Sequence, residues 1–158
     1  MDWALFFVFL GACGAAAATG AMFPPGPWYE RLDKPAWTPP NWLFPLAWTA
    51  LYLALAYVGA RVAPLDGAAW AMGFWALQIA LNTLWTPIFF GLRRLGAALI
   101  AIGCLWAAVL GLLATLWPLD RLSFWLVVPY LVWVSYAAAL NADILRRNPG
   151  IAPVDTAR

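Results

Sequence analysis

The 158-residue chain contains no histidine. The commonest metal ligand, general base and haem axial ligand is therefore missing at once. Charge is scarce as well: nine Lys and Arg with seven Asp and Glu make 10% of the residues. A water-soluble domain carries about a quarter. The net charge of +2 is too small and too scattered for a nucleic-acid surface. Two cysteines are present, Cys13 and Cys104, both inside apolar runs. They lack the spacing of a metal site or disulfide framework and read as small buried hydrophobes. No acid–base pair falls at membrane depth, which argues against hydrolytic or proton-transfer catalysis.

The remainder is 65% hydrophobic, with 12 Trp and 13 Pro. Apolar stretches of about twenty residues mark transmembrane helices. Five are expected: Trp3 to Met22, Trp42 to Val62, Ala68 to Phe90, Leu95 to Trp117, and Leu122 to Leu145. The fold class is thus an all-α membrane protein, a five-helix bundle in one domain over 1–158. Pro- and Gly-rich breaks separate the spans, because proline lacks a donor N–H and clashes with the preceding turn. Only the loop 23–41 is long, and its Trp, Tyr and Pro content predicts an ordered cap over a pocket. Met1-Asp2 offers no positive n-region, so the first span is read as a helix and not as a cleaved leader.

Lys and Arg divide unevenly between the two ends. Arg31, Lys34, Arg93, Arg94, Arg146, Arg147 and Arg158 fall on one side, Arg61 and Arg121 on the other. The positive-inside rule then places the C-terminus in the cytoplasm and the N-terminus outside, if the host is an inner membrane. The choice between inner and outer membrane stays open.

The third span carries Trp75, Gln78, Asn82, Trp85 and Phe89 at intervals of three and four, hence on one helix face. Amides in lipid are costly unless they glue helices together or meet a ligand. The second span offers Asn41, Pro45, Trp48 and Tyr52 on one face. The fifth offers Pro129, Trp133, Tyr136 or Ala137, and Leu140. Trp3, Trp42, Trp117 and Trp125 lie near span ends and suit an interfacial belt, whereas Trp48, Trp75, Trp85 and Trp133 lie deeper. Flat aromatic walls with a few directed polar groups suit a flat, mainly apolar ligand. Small-residue pairs, Gly11 with Ala15, Gly14 with Ala18 and Ala69 with Gly73, permit close helix approach within the chain or across a homodimer.

Several segments together resemble the TspO/MBR family, the tryptophan-rich sensory proteins and translocator or peripheral benzodiazepine receptor proteins. They are Trp28-Tyr29 with Lys34-Pro35-Ala36-Trp37-Thr38-Pro39-Pro40, the run from Phe44 to Tyr52, Gln78 with the run from Leu81 to Gly91, and Val128 to Trp133 with Leu140-Asn141. The resemblance implies a five-helix bundle, often dimeric, of bacterial type. It implies protoporphyrin IX or a related tetrapyrrole as ligand, held non-covalently, with isoquinoline and benzodiazepine-type compounds as synthetic ligands. Carried over by position, it implies ligand contacts from Tyr29, Trp48, Asn82, Trp85, Trp133 and Ala137; Gln78 joins them from the helix-face reading above. It also implies an alternative activity, light-dependent porphyrin degradation, in which Trp48 and Trp133 would take part. No metal site is expected. A plain helical scaffold is the third reading, and it leaves the amide–tryptophan face unexplained. The animal cholesterol motif is broken here: in Leu140-Asn141-Ala142-Asp143-Ile144-Leu145-Arg146, Ala142 stands where the tyrosine belongs. High-affinity cholesterol binding is therefore not expected. Arg31 or Lys34 is the expected source of positive charge for porphyrin propionates.

Overall fold

A computed structural model describes residues 2–150; Arg158, counted above for orientation, lies outside them. The described residues are helical, with no strand among them. The elements are α1 (Trp3–Met22), α2 (Pro27–Glu30), α3 (Leu43–Val62), α4 (Ala69–Thr86), a π-helical turn (Pro87–Gly91), α5 (Leu95–Leu119) and α6 (Arg121–Arg147). Four helices, α1, α3, α5 and α6, are long and apolar enough to cross a membrane. The expected third span is interrupted: regular α-helix stops at Thr86, four residues short of Phe90.

Proline explains that interruption. Pro87 has no N–H to donate back along the helix, so the ladder slips to a wider register. Leu92 N–H reaches the Pro87 carbonyl at 2.8 Å, a five-residue step. The turn ends at Arg93, whose φ of 54° is left-handed.

The five long helices pack as a ring, each touching its neighbours in the order α1, α3, α6, α5, α4 and back to α1. The core is aliphatic, with Leu55, Val58, Val62, Leu105, Val109, Leu112, Leu116, Val127 and Val134 nearly solvent-free. Phe9 of α1 lies over Gly59 of α3 and meets Trp75 of α4 edge-on at 4.7 Å. Trp75 in turn donates its indole N–H to the Leu55 carbonyl at 3.0 Å. Three helices are thereby joined at one point. Hydroxyls along the helices bond within their own helix: Thr49 to the Pro45 carbonyl, Thr83 to Ile79 and Ser135 to Leu131. This is how an isolated hydroxyl is satisfied where water is absent. Cys13 is buried as expected, but Cys104 is exposed on the outer face of α5. A face that lipid covers needs no partner helix, so composition could not tell the two positions apart.

Asp120 ties one end of the ring together. It accepts from the Ser123 backbone N–H at 3.2 Å, capping α6, and forms a two-point ion pair with Arg61 at the end of α3. The Arg61 hydrogen bond, helped by Ser123, lowers its carboxyl pKa from the ordinary 3.8 to about 2. The stabilisation is thus complete above the unfolded value and is lost as pH falls towards 2. Asp120→Ala is expected to cost about 1–2 kcal/mol at neutral pH. The gap between variant and parent should close as the thermal unfolding midpoint is followed down from pH 5.

The long loop is fastened at the other end. Lys34 Nζ donates to the carbonyls of Tyr29, Glu30 and Leu32 and sits 4.7 Å from the Tyr29 ring centre. Asn148 clamps both backbone groups of Asp33, and Tyr136 donates its hydroxyl to the Trp37 carbonyl at 2.6 Å. The loop is ordered by α6, against which it lies.

An aromatic cavity beneath the long loop

A cavity of about 430 Å³ lies between α1, α3, α4 and α6 under this loop. That falls within the ~300–1,000 Å³ of small-molecule sites. The loop supplies Tyr29; α3 supplies Phe44, Trp48 and Tyr52; α4 and its π turn supply Asn82, Trp85, Phe89 and Phe90; α6 supplies Ala137, Leu140 and Asn141. The π turn matters here. Consecutive Phe89 and Phe90, both within it, line the cavity.

The aromatic groups are mutually ordered. Trp48 stacks on Tyr52 at 5.3 Å with a 28° tilt, and its edge meets Tyr130. Trp85 lies against Phe89 at 5.0 Å. Polar groups are few and mostly paired. Asn82 Nδ2 donates to the Tyr52 hydroxyl at 3.2 Å. Trp85 Nε1 donates to Asn141 Oδ1, and Asn141 Nδ2 donates to the Leu95 carbonyl. Burial, and next the nearby Tyr136, push the Tyr29 phenol above its ordinary pKa, so it stays a neutral group near neutral pH. No residue lining the cavity is charged.

Of the residues expected at a ligand site, Tyr29, Trp48, Asn82, Trp85 and Ala137 line this cavity. Gln78 and Trp133 do not. Gln78 is fully buried below it and accepts from the Tyr130 hydroxyl at 2.9 Å, with its Nε2 unpartnered. It bonds across the inside of the ring to α6 and acts as helix glue. Trp133 stacks on Tyr136 at 6.0 Å and meets Phe44 edge-on at 5.8 Å. Phe44, itself a lining residue, takes the wall position there. Lys34 is committed to backbone carbonyls, and neither it nor Arg31 lines the cavity. The lining also includes residues with no sequence signal. Ala16, Ala17, Gly20 and Ala21 of α1 form one side, and small apolar groups look alike whether they face a ligand or lipid.

An all-helical, multi-pass membrane protein with an uncharged aromatic cavity under an ordered loop is the class that this fold and site define. Comparison with known proteins narrows the class. The TspO/MBR family model matches residues 4–147. Protein CrtK of Rhodobacter capsulatus is 48% identical over 158 residues, covering 98% of this chain and 99% of that protein. The tryptophan-rich sensory protein of Cereibacter sphaeroides is 49% identical over 151 residues, 94% of each chain. The human translocator protein is 35% identical over 128 residues, 78% of this chain and 76% of its own. The chain belongs to the TspO/MBR family.

Proposed function

We propose that the protein binds a tetrapyrrole, protoporphyrin IX or a close relative, in this cavity and acts as a membrane sensor or transporter in porphyrin metabolism. The observation that carries the reading is the wall itself: Trp48, Trp85, Phe44, Phe89 and Phe90 around an uncharged space. Flat rings gain from stacking and edge contacts without any ionic partner. Isoquinoline and benzodiazepine-type compounds share this flat, mainly apolar chemistry. In the proposed topology α4 and its π turn form a fifth span, shortened in apolar length by Gln78 and Asn82. If the host is an inner membrane, the N-terminus lies outside and the C-terminus in the cytoplasm. Small residues on outer faces, such as Gly11, Gly14 and Gly73, leave open space beside their backbones and suit a homodimer seam.

Titration with protoporphyrin IX, followed by porphyrin emission, tests the reading. Trp48→Phe should weaken binding by about threefold to tenfold, since a smaller ring loses part of the stacked area. Trp133→Phe should leave affinity within about twofold, because Trp133 does not line the cavity and meets its wall at Phe44. A result in which Trp133→Phe has the larger effect would place the ligand elsewhere.

The photochemical reading has one observation in its favour. Trp48 is on the wall and stacked on Tyr52, so an indole is available as electron donor to an excited porphyrin. Illumination of the protein with protoporphyrin tests it. Bleaching at the same rate in a variant lacking both Trp48 and Trp133 would end that reading.

A further inference from the structure

The cavity has no charged wall, yet a free porphyrin carries two propionates. No Lys or Arg lines the cavity. Lys34 is held by three carbonyls, Arg147 faces Asp143 and Asp33, and the Arg93 guanidinium lies 5.7 Å from the Trp28 ring centre. An ionised carboxylate placed among these aromatic groups would lose its hydration without gaining a partner.

The cavity is also incompletely walled on one side. Phe9 and Gly59 hold α1 and α3 together near one end of the ring. Towards the loop the two helices cease to bury one another: α1 has no buried residue after Ala16, and α3 none before Leu51. The lining residues on this flank, Ala17, Gly20 and Ala21 of α1 and Pro45 and Thr49 of α3, are exposed to differing degrees. Gly20 has nothing within 4 Å of the place a Cβ would occupy. Both flanking helices are of membrane-crossing length and apolarity, so this flank faces acyl chains.

Building on the tetrapyrrole reading, we propose that the cavity is loaded sideways from the bilayer, through a doorway between α1 and α3 with Gly20 at its edge. It seats the uncharged body of an amphiphile and leaves any ionised group outside. Charge is excluded by the wall and water by the flanking lipid. Recognition therefore selects ligands that already partition into the membrane.

The test uses the full-length protein in vesicles, with protoporphyrin IX and its dimethyl ester as probes and stopped-flow emission as readout. The ester should bind as tightly as the diacid or tighter. Gly20→Leu should slow association by about tenfold, because the added side chain narrows the passage. Gly103→Leu is the control. It lies on α5, away from the doorway, its added side chain meets open space, and it does not line the cavity. Its rates should equal the parent's. Ala17→Phe is a second doorway variant and should act as Gly20→Leu does. Unchanged rates in both doorway variants, or faster dissociation with unchanged association, would overturn the doorway. Tighter binding of the diacid by about tenfold or more would overturn the exclusion of charge. Failure of the parent protein to bind either probe would overturn the tetrapyrrole reading instead, and the inference with it.

Discussion

Removing Trp48 and Trp85 together, as the double alanine variant, is expected to weaken protoporphyrin binding by about a hundredfold. The two indoles lie on different helices, α3 and α4, and both line the cavity. Each offers a large flat surface at low conformational cost, and each aromatic contact adds about 0.5–1.5 kcal/mol beyond buried area. About 1.4 kcal/mol per residue is one tenfold step each. The two side chains do different work. Trp48 is ordered by stacking on Tyr52, while Trp85 also donates its N–H to Asn141. Trp85→Phe therefore separates the contributions: it keeps a ring and deletes the hydrogen bond, leaving Asn141 Oδ1 without that donor. Binding followed by the porphyrin's own emission avoids any dependence on protein tryptophan. A loss smaller than about threefold in the double variant would mean that the ligand does not stack in this cavity.

The largest expected loss of stability comes from a residue that contributes no side chain. A Cβ at Gly59 would lie 2.6 Å from the Phe9 ring, closer than packed atoms tolerate. Gly59→Leu must push Phe9 aside, and overpacking of this kind costs about 1–3 kcal/mol. Phe9 cannot move freely, because it packs on Trp75, which is bonded to the Leu55 carbonyl. The same shift therefore disturbs α1, α3 and α4 together. The expected result is a lower thermal unfolding midpoint in detergent. Phe9→Ala in the same chain should recover part of the loss, since it empties the space that the introduced isobutyl group needs. Strict additivity of the two substitutions would show that they do not share this contact.

Much of this was legible in the residues. Lipid excludes charge and demands internally bonded backbone, so ten per cent charged residues and long apolar runs already imply membrane helices. The ends of α1, α3, α5 and α6 fall within two residues of the expected spans because Pro, Asp and Arg mark them chemically. The three-residue interval between Asn82 and Trp85 placed both on one face, and both line the cavity. Gln78 shares that face yet lies outside the cavity lining, its carbonyl oxygen accepting from the Tyr130 hydroxyl of α6 across the ring. A helix face spans several neighbours, and periodicity cannot say which of them a given turn meets.

Other features depend on long-range packing. Lys34 was a natural partner for an anionic ligand until the loop folded its own carbonyls around the ammonium. Phe90 lines the cavity from the π turn that begins at Pro87. Phe44, not Trp133, took a place in the wall, and Ala17, Gly20 and Ala21 became an edge of the cavity. Composition and local chemistry are sufficient for the membrane, the helices and the aromatic character of the site, because hydration and backbone geometry act residue by residue. Which side chains face one another across the ring is a property of pairs far apart in the chain, and it exists only once the helices have packed.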